Sequence, residues 1–397
     1  MLMAGFIFAD MRYHSYLNSA KKIIESNRGE EPFSLFLKKY FGADKKYGSK
    51  DRKQIATLCY NFYRLGKALP DASVEEKIIT ATFLCENRYN DFLAFHKPEW
   101  NELIAKQLFK KITFIDFDVE KVFPWNNELS DGIDLHSFCS SFFYQPDLFL
   151  RIRPGKKDIV IKKLEAAGLN FNMPGEDCIG LPNAAKLDTI IELDKEAVVQ
   201  DLNSQKVLDV LKKDDRADND KPLNVWDCCA ASGGKSILAD DILKGKLTLT
   251  VSDIRKNILS NLKMRFLSAG VKKYNSFIAD LSTSHYPLPI AHCSLIICDA
   301  PCTGSGTWSR TPEQLYFFKE EMIADYADKQ RRIVTNVIPY LQKEGMFIYI
   351  TCSVFKKENE DVVNFIKEKF HLQLLQMDFL KGYDKKADSM FVAVFKR

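Results

Sequence analysis

None of the ten cysteines forms a Cys-x-x-Cys pair, and His292-Cys293 has no second pair to complete a zinc site. Disulfide-framework spacing is absent as well, and a chain of 397 residues needs no covalent staples to hold a core. A reducing compartment and no metal are expected. No uncharged apolar run reaches the roughly eighteen residues of a bilayer span. Residues 1–9 are apolar but lack a basic flank and a cleavage-like site, so no signal peptide is read there. These absences point to a cytoplasmic protein. Charge excess is missing too: at a net +4, a polyanionic partner cannot be argued from the total. Phosphate cradles are also lacking. Gly234-Lys235-Ser236 resembles the tail of a P-loop, but that motif needs glycine where Cys229 stands. No Gly-x-Gly-x-x-Gly follows a strand, which disfavours a dinucleotide.

The chain is long enough for two or three domains. Residues 1–140 read as helical. Apolar spacing over 13–26, Pro32 before Phe33, Ser49 ahead of the Ile55, Leu58 and Phe62 stripe, and a capping box at Ser73–Glu76 each mark a helix. Between residues 38 and 67 bases exceed acids by seven, and Tyr47, Tyr60 and Tyr63 lie among them. Basic residues mixed with aromatics suit RNA, with Lys50, Arg52 and Lys53 as candidate contacts, although tyrosines at such spacing pack into cores at least as often.

Residues 141–205 read as a small α/β unit. It opens on a strand at 148–154 whose Arg151 and Arg153 are taken to face outward and hold phosphates, followed by a helix that Gly168 stops. A charged surface loop is expected at 214–222. From 206 to 397 strands and helices alternate, the pattern of a doubly wound, mostly parallel sheet. Asp227, Asp253, Asp280 and Asp299 end four successive strands, where open α/β sheets bind ligands. The small-residue loop Cys229-Ala230-Ala231-Ser232-Gly233-Gly234-Lys235 suits a cofactor without a phosphate cradle, such as S-adenosylmethionine. Asp253 is placed for its ribose hydroxyls and Asp280 for its adenine amino group.

Cys302 follows the fourth strand of this series and Cys352 the fifth, so one pocket edge can receive both thiols. Two thiols beside a methyl donor suggest attack on a pyrimidine. A thiolate adding to carbon 6 makes carbon 5 nucleophilic, and loss of the carbon-5 proton with β-elimination then frees the thiol. Asp299 is suited to bond N3 and the exocyclic amine.

The segments 229–235, Ser-Asp-Ile-Arg (252–255), Asp-Ala-Pro-Cys-Thr-Gly-Ser-Gly (299–306) and Thr-Cys-Ser-Val-Phe-Lys-Lys-Glu-Asn-Glu (351–360) resemble the RNA 5-methylcytosine methyltransferases of the Sun (RsmB-like) family. Residues 199–205, Arg-Thr-Pro-Glu (310–313) and Gln330 are similar too, and Arg310 joins the candidate RNA contacts. The resemblance covers residues 142–397. More loosely, the first 140 residues are similar to the NusB-like RNA-binding domain of the bacterial ribosomal-RNA members. The resemblance implies a Rossmann-like, S-adenosylmethionine-dependent methyltransferase domain behind a small α/β subdomain and an all-α domain. It makes Cys352 the nucleophile, gives Cys302 the release of product, and gives residues 229–235, Asp253, Asp280 and Asp299 the cofactor. Small-subunit ribosomal RNA is the expected substrate and a monomer the expected state. Transfer RNA, or a non-catalytic RNA-binding role in ribosome assembly, stays open. Ser232 stands where the family usually has proline, which suggests a looser loop.

Overall fold

The computed structural model describes residues 2–44, 46–213, 221–283 and 287–397. Lys45 and most of the loop expected at 214–222 lie outside the described residues. The chain divides into two compact units. One comprises Met1–Asn127, Asp134–Gln145 and Trp308–Lys319; the other comprises Glu128–Ile133, Pro146–Thr307 and Glu320–Arg397.

The first unit is helical. Leu2–Ser26, Phe33–Ala43 and Ser49–Arg64 bury one stripe each, with Ala20, Ile23, Phe33, Ile55, Leu58 and Phe62 at its centre. Gly48 rather than Ser49 takes the cap position of the third helix, and Asp51 accepts the Gly48 N–H at 3.2 Å. Val74–Cys85 begins on the capping box read from the sequence: the Glu76 N–H donates to Ser73 and the Ser73 N–H to Glu76. Such a cap contributes about 1 kcal/mol. At its other end the buried Lys111 ammonium donates to the carbonyls of Phe83, Leu84 and Glu86, which the helix leaves without partners. Tyr47 and Tyr63 are buried and Tyr60 is half-buried, so the tyrosines of the basic segment belong mainly to the core.

The second unit holds two sheets. In the smaller, β1 (Leu148–Ile152), β2 (Asn172–Gly175), β3 (Cys178–Leu181) and β4 (Ala197–Val199) pair antiparallel in the order β2-β3-β1-β4. In the larger, β5 (Leu223–Asp227), β6 (Leu247–Asp253), β7 (Tyr274–Ile278), β8 (Cys293–Asp299), β9 (Leu341–Thr351), β10 (Gln373–Leu380) and β11 (Met390–Lys396) lie in the order β10-β11-β9-β8-β5-β6-β7. The run from β9 to β7 is parallel, and β10 and β11 add antiparallel pairs at one side. Both faces of β8 and β9 are covered, which is why Leu295–Cys298 and Met346–Ile350 read as unbroken apolar runs. Leu295, Ile297, Ile348 and Ile350 face one core with Ile237, Leu262 and Phe266. Ile296, Cys298, Phe347 and Tyr349 face the other with Val334, Val337, Val363 and Ile366. Each such side chain, fully buried, adds about 1.5–3 kcal/mol.

Candidate active site

The chain enters the large sheet at β5, lays β6 and β7 to one side, then crosses to β8 on the other. That reversal opens a crevice at the carboxyl ends of β5 and β8. Asp227 ends β5, Asp299 ends β8, and Thr351-Cys352 ends β9 beside it. A cavity of about 310 Å³ lies there, lined by Asp227, residues 229–232, Gly234, Lys235, Asp299 and Cys352.

The loop after β5 is fixed by its backbone. Ala230 N–H donates to Ser252 O, Ala231 N–H to Asp253 Oδ2, and Gly233 N–H to Ala230 O, at 2.8–3.0 Å. Gly233 has φ 84°, and a Cβ there would lie 2.6 Å from the Phe266 ring, so the turn requires glycine. Ser232 is tied down: Arg265 donates to its hydroxyl at 2.9 Å and its carbonyl at 3.1 Å while pairing with Asp194 at 2.6 Å. Sequence reasoning missed Arg265 and Asp194, which lie far from the motif and carry no local signal.

Asp227 is wholly buried. The Ser236 hydroxyl donates to its Oδ2 at 2.6 Å, and its Oδ1 has no partner. Burial pushes this carboxyl up to about 7, against the Ser236 bond, with nearby Asp299 adding to the rise. An orphaned acceptor on the wall of a small-residue cavity fits a cofactor that brings an N–H donor, as the amino group of S-adenosylmethionine does. Residues 229–235 would hold that cofactor. Asp253 is buried, and burial disfavours its charge. Arg255 and the Ala231 N–H more than offset this and hold it below the usual carboxylate range. Asp280 accepts from Ser282 and lines a different cavity, with Leu281, His292 and Tyr340. The structure therefore does not bring it to the cavity of Asp299 and Cys352.

On the opposite wall, Lys235 Nζ pairs with Asp299 Oδ2 at 2.6 Å. Burial alone would lower the ammonium, but the Asp299 carboxylate outweighs it and raises the lysine. Beside the pair, the Sγ atoms of Cys302 and Cys352 lie 3.3 Å apart. Cys352 lines the cavity; Cys302 is not among the residues that line it. The bond to Cys352, together with burial, holds the Cys302 thiol well above its ordinary range. Gly306 N–H donates to Cys352 O at 2.8 Å, and Gly306 O accepts from Ser389 N–H at 2.9 Å. A Cβ at Gly306 would sit 2.2 Å from Ser389 O, so only glycine fits that approach.

The candidate phosphate contacts fare differently. Arg151 is buried, 5% exposed, and is not outward. With Arg153 it shares the carboxylate of Asp241, Arg151 through Nη1 and Arg153 through Nη2 at 2.6 Å; Arg151 also donates to Gln200 at 2.8 Å. The expectation fails because β1 is a central strand and its arginine side packs on helix Gly234–Ile242, which carries Asp241. Lys50 and Lys53 are exposed. Arg52 is half-buried and donates to Tyr47 O at 2.9 Å. Arg310 is half-buried on the segment Trp308–Lys319 of the helical unit. Among the described residues no helix is long and apolar enough to cross a membrane.

Residues 215–394 match the family model described as 16S rRNA methyltransferase RsmB/F. The probable ribosomal RNA small subunit methyltransferase B of Bacillus subtilis (strain 168) is 27% identical over 235 residues, covering 58% of this chain and 51% of the relative. Ribosomal RNA small subunit methyltransferase B of Photorhabdus laumondii is 31% identical over 177 residues, covering 43% and 38%. The chain thus spans about half or less of the length of these curated relatives. The crystal structure of PH0851 superposes with a TM-score of 0.69 at 17% identity, covering 96% of this chain and 98% of that one, a likeness of fold. S-adenosylmethionine is accordingly the cofactor of the large-sheet domain. Over residues 215–394 the chain is similar to the 16S rRNA methyltransferase RsmB/F family.

Proposed function

We propose that the protein methylates carbon 5 of cytosine in RNA, with small-subunit ribosomal RNA as substrate, through a covalent bond between Cys352 and the base. The observation that carries this reading is the thiol pair at 3.3 Å beside the Lys235–Asp299 ion pair, with Cys352 on the cavity wall. A cytosine turned out of its stack would donate from its exocyclic amine to Asp299, whose carboxylate Lys235 orients, and a proton shared between Asp299 and N3 would make that second contact. The Cys352 thiolate adds to carbon 6, and the electron pair of the 5,6 double bond becomes available at carbon 5. Bound S-adenosylmethionine supplies the methyl group. A base, water among those available, takes the carbon-5 proton; the bonding pair it leaves behind forms the new 5,6 double bond, and the sulfur–carbon-6 bond breaks with its pair returning to Cys352 as thiolate. A proton on Cys302 Sγ, 3.3 Å from Cys352 Sγ, would stabilise the leaving thiolate. Lys50 and Lys53, exposed on the helical unit, would hold phosphates. The domain reading of a helical RNA-binding part, residues 1–140, ahead of a linking unit, 141–205, and a catalytic part, 206–397, belongs to the same proposal.

The test is methyl transfer from radiolabelled S-adenosylmethionine to small-subunit ribosomal RNA, with the product read by bisulfite sequencing. Label on RNA that bisulfite does not map to a cytosine would sink the carbon-5 assignment.

A further inference from the structure

Behind the two thiols lies a carboxylate to which none of these roles falls. Glu358 is wholly buried just before helix Glu360–Phe370 and accepts from four neutral donors. Its Oε1 receives the hydroxyls of Thr303 and Ser353, each at 2.6 Å. Its Oε2 receives the Thr303 N–H and the Gln330 amide, each at 2.9 Å. Thr303 directly follows Cys302, and Ser353 directly follows Cys352, so one oxygen holds the residue next to each thiol. Gln330 also donates to Pro301 O at 3.0 Å. Both of its N–H groups are thus spent on acceptors, while its own Oε1 has no partner. Burial pushes the Glu358 carboxyl above its usual range, against the bonds from Ser353, Thr303 and Gln330, which favour the charged form. Cys302 is consequently held from both sides, at Pro301 through Gln330 and at Thr303 through Glu358.

We propose that Glu358 is a positioning residue for methyl transfer: its carboxylate ties the Cys302 loop to the Cys352 loop and sets the spacing of the two thiols. This inference rests on the roles given to those thiols above. A hydroxyl-only link between the loops exists through Ser305, but its bonds to Thr303 and Ser353 are longer, 3.1 and 3.3 Å. Glu358 supplies the shortest, 2.6 Å each, alongside the 2.8 Å backbone bond from Gly306 N–H to Cys352 O. A negative charge at this place has a second effect. Beyond the bond to Cys352 and burial, it helps keep the Cys302 thiol protonated, the form needed to assist release. Replacement by glutamine keeps the shape but turns an N–H pair toward existing donors.

The experiment compares Glu358→Gln with the parent chain in two readouts. One is steady-state methylation, where kcat is expected to fall on the order of 10²-fold, as for a misplacement of about 1 Å, with KM for RNA and the Kd for S-adenosylmethionine unchanged. The other is cross-linking of Cys302 to Cys352 by dibromobimane in the protein without RNA, read by peptide mass spectrometry, where the yield is expected to drop. Parent-like kcat together with parent-like cross-linking overturns the proposal while leaving the methyltransferase reading intact. If the parent chain methylates no RNA, that reading fails, and the cross-link still decides whether Glu358 spaces the thiols. Should Glu358→Gln lose the parent's melting transition, Ser353→Ala decides by the same readouts, since it removes one donor from the same oxygen.

Discussion

The Sγ atoms of Cys302 and Cys352, fifty residues apart in sequence, meet at 3.3 Å because β8 and β9 are neighbouring parallel strands whose carboxyl ends lie together. Parallel register delivers the loops that follow the two strands to one edge, and a thiol at the head of each loop is enough to make a pair. Only Cys352 opens onto the cavity. On the proposed mechanism this asymmetry would separate attack from release, a difference that can be measured.

Cys352→Ala is expected to lower methylation on the order of 10⁴-fold or more, the scale of losing a nucleophile, with no adduct on a denaturing gel. Cys302→Ala is expected to slow turnover about 10²- to 10⁴-fold and to accumulate a band of protein bound to RNA. The opposite pattern of bands would exchange the two roles.

Lys235→Met leaves the Asp299 carboxylate without its cation at 2.6 Å. A loss of about 10²- to 10³-fold in kcat is expected, as for one preorganised electrostatic partner. Parent-like turnover in this variant would mean that Asp299 needs no such support.

Asp227 gives a pH signature. Its folded-state carboxyl, pushed up to about 7 from 3.8 by burial, binds a proton that the unfolded chain has already released over that interval. Its contribution to stability is therefore complete below about 4 and disappears as pH rises through about 7. Asp227→Asn should flatten that part of the curve of Tm against pH for the cofactor-free protein. An unchanged slope would contradict the assignment.

Arg151 and Arg153 should matter to folding rather than to RNA. Asp241→Ala leaves two buried guanidiniums sharing no carboxylate, at a cost of about 3–5 kcal/mol by analogy with other broken buried pairs. Urea titration measures this. Lys50→Ala and Lys53→Ala should leave stability alone and each reduce the slope of log Kd against log salt by roughly 1. A salt slope that stays put would move the RNA surface elsewhere.

What could be read from the sequence was local. The box at Ser73–Glu76 spans four residues, and the run Leu295-Ile296-Ile297-Cys298 announces a strand covered on both sides. Asp299 and Lys235 were visible because each sits at a strand end or helix start with motif neighbours. Arg151 was misread because alternation along a strand separates its faces without saying whether both are covered. Strand β10 was not foreseen. Gln373, Gln376 and Asp378 interrupt its apolar residues, as an exposed edge strand allows. Nor could spacing reveal that Trp308–Lys319 packs with the helical unit, where Glu313 accepts the Phe33 N–H at 3.2 Å. Such pairings depend on distant chain, and a window of neighbours does not contain them.

Arg265 grips both Ser232 and Asp194, the latter just ahead of β4 in the small sheet. The loop proposed to hold the methyl donor is thus moored to a neighbouring subdomain by one guanidinium instead of being stiffened from within by a proline ring. A change at Asp194, which does not line the cavity, would then act on that loop through Arg265. A proline in place of Ser232 would remove the hydroxyl contact and leave Arg265 only the carbonyl to hold.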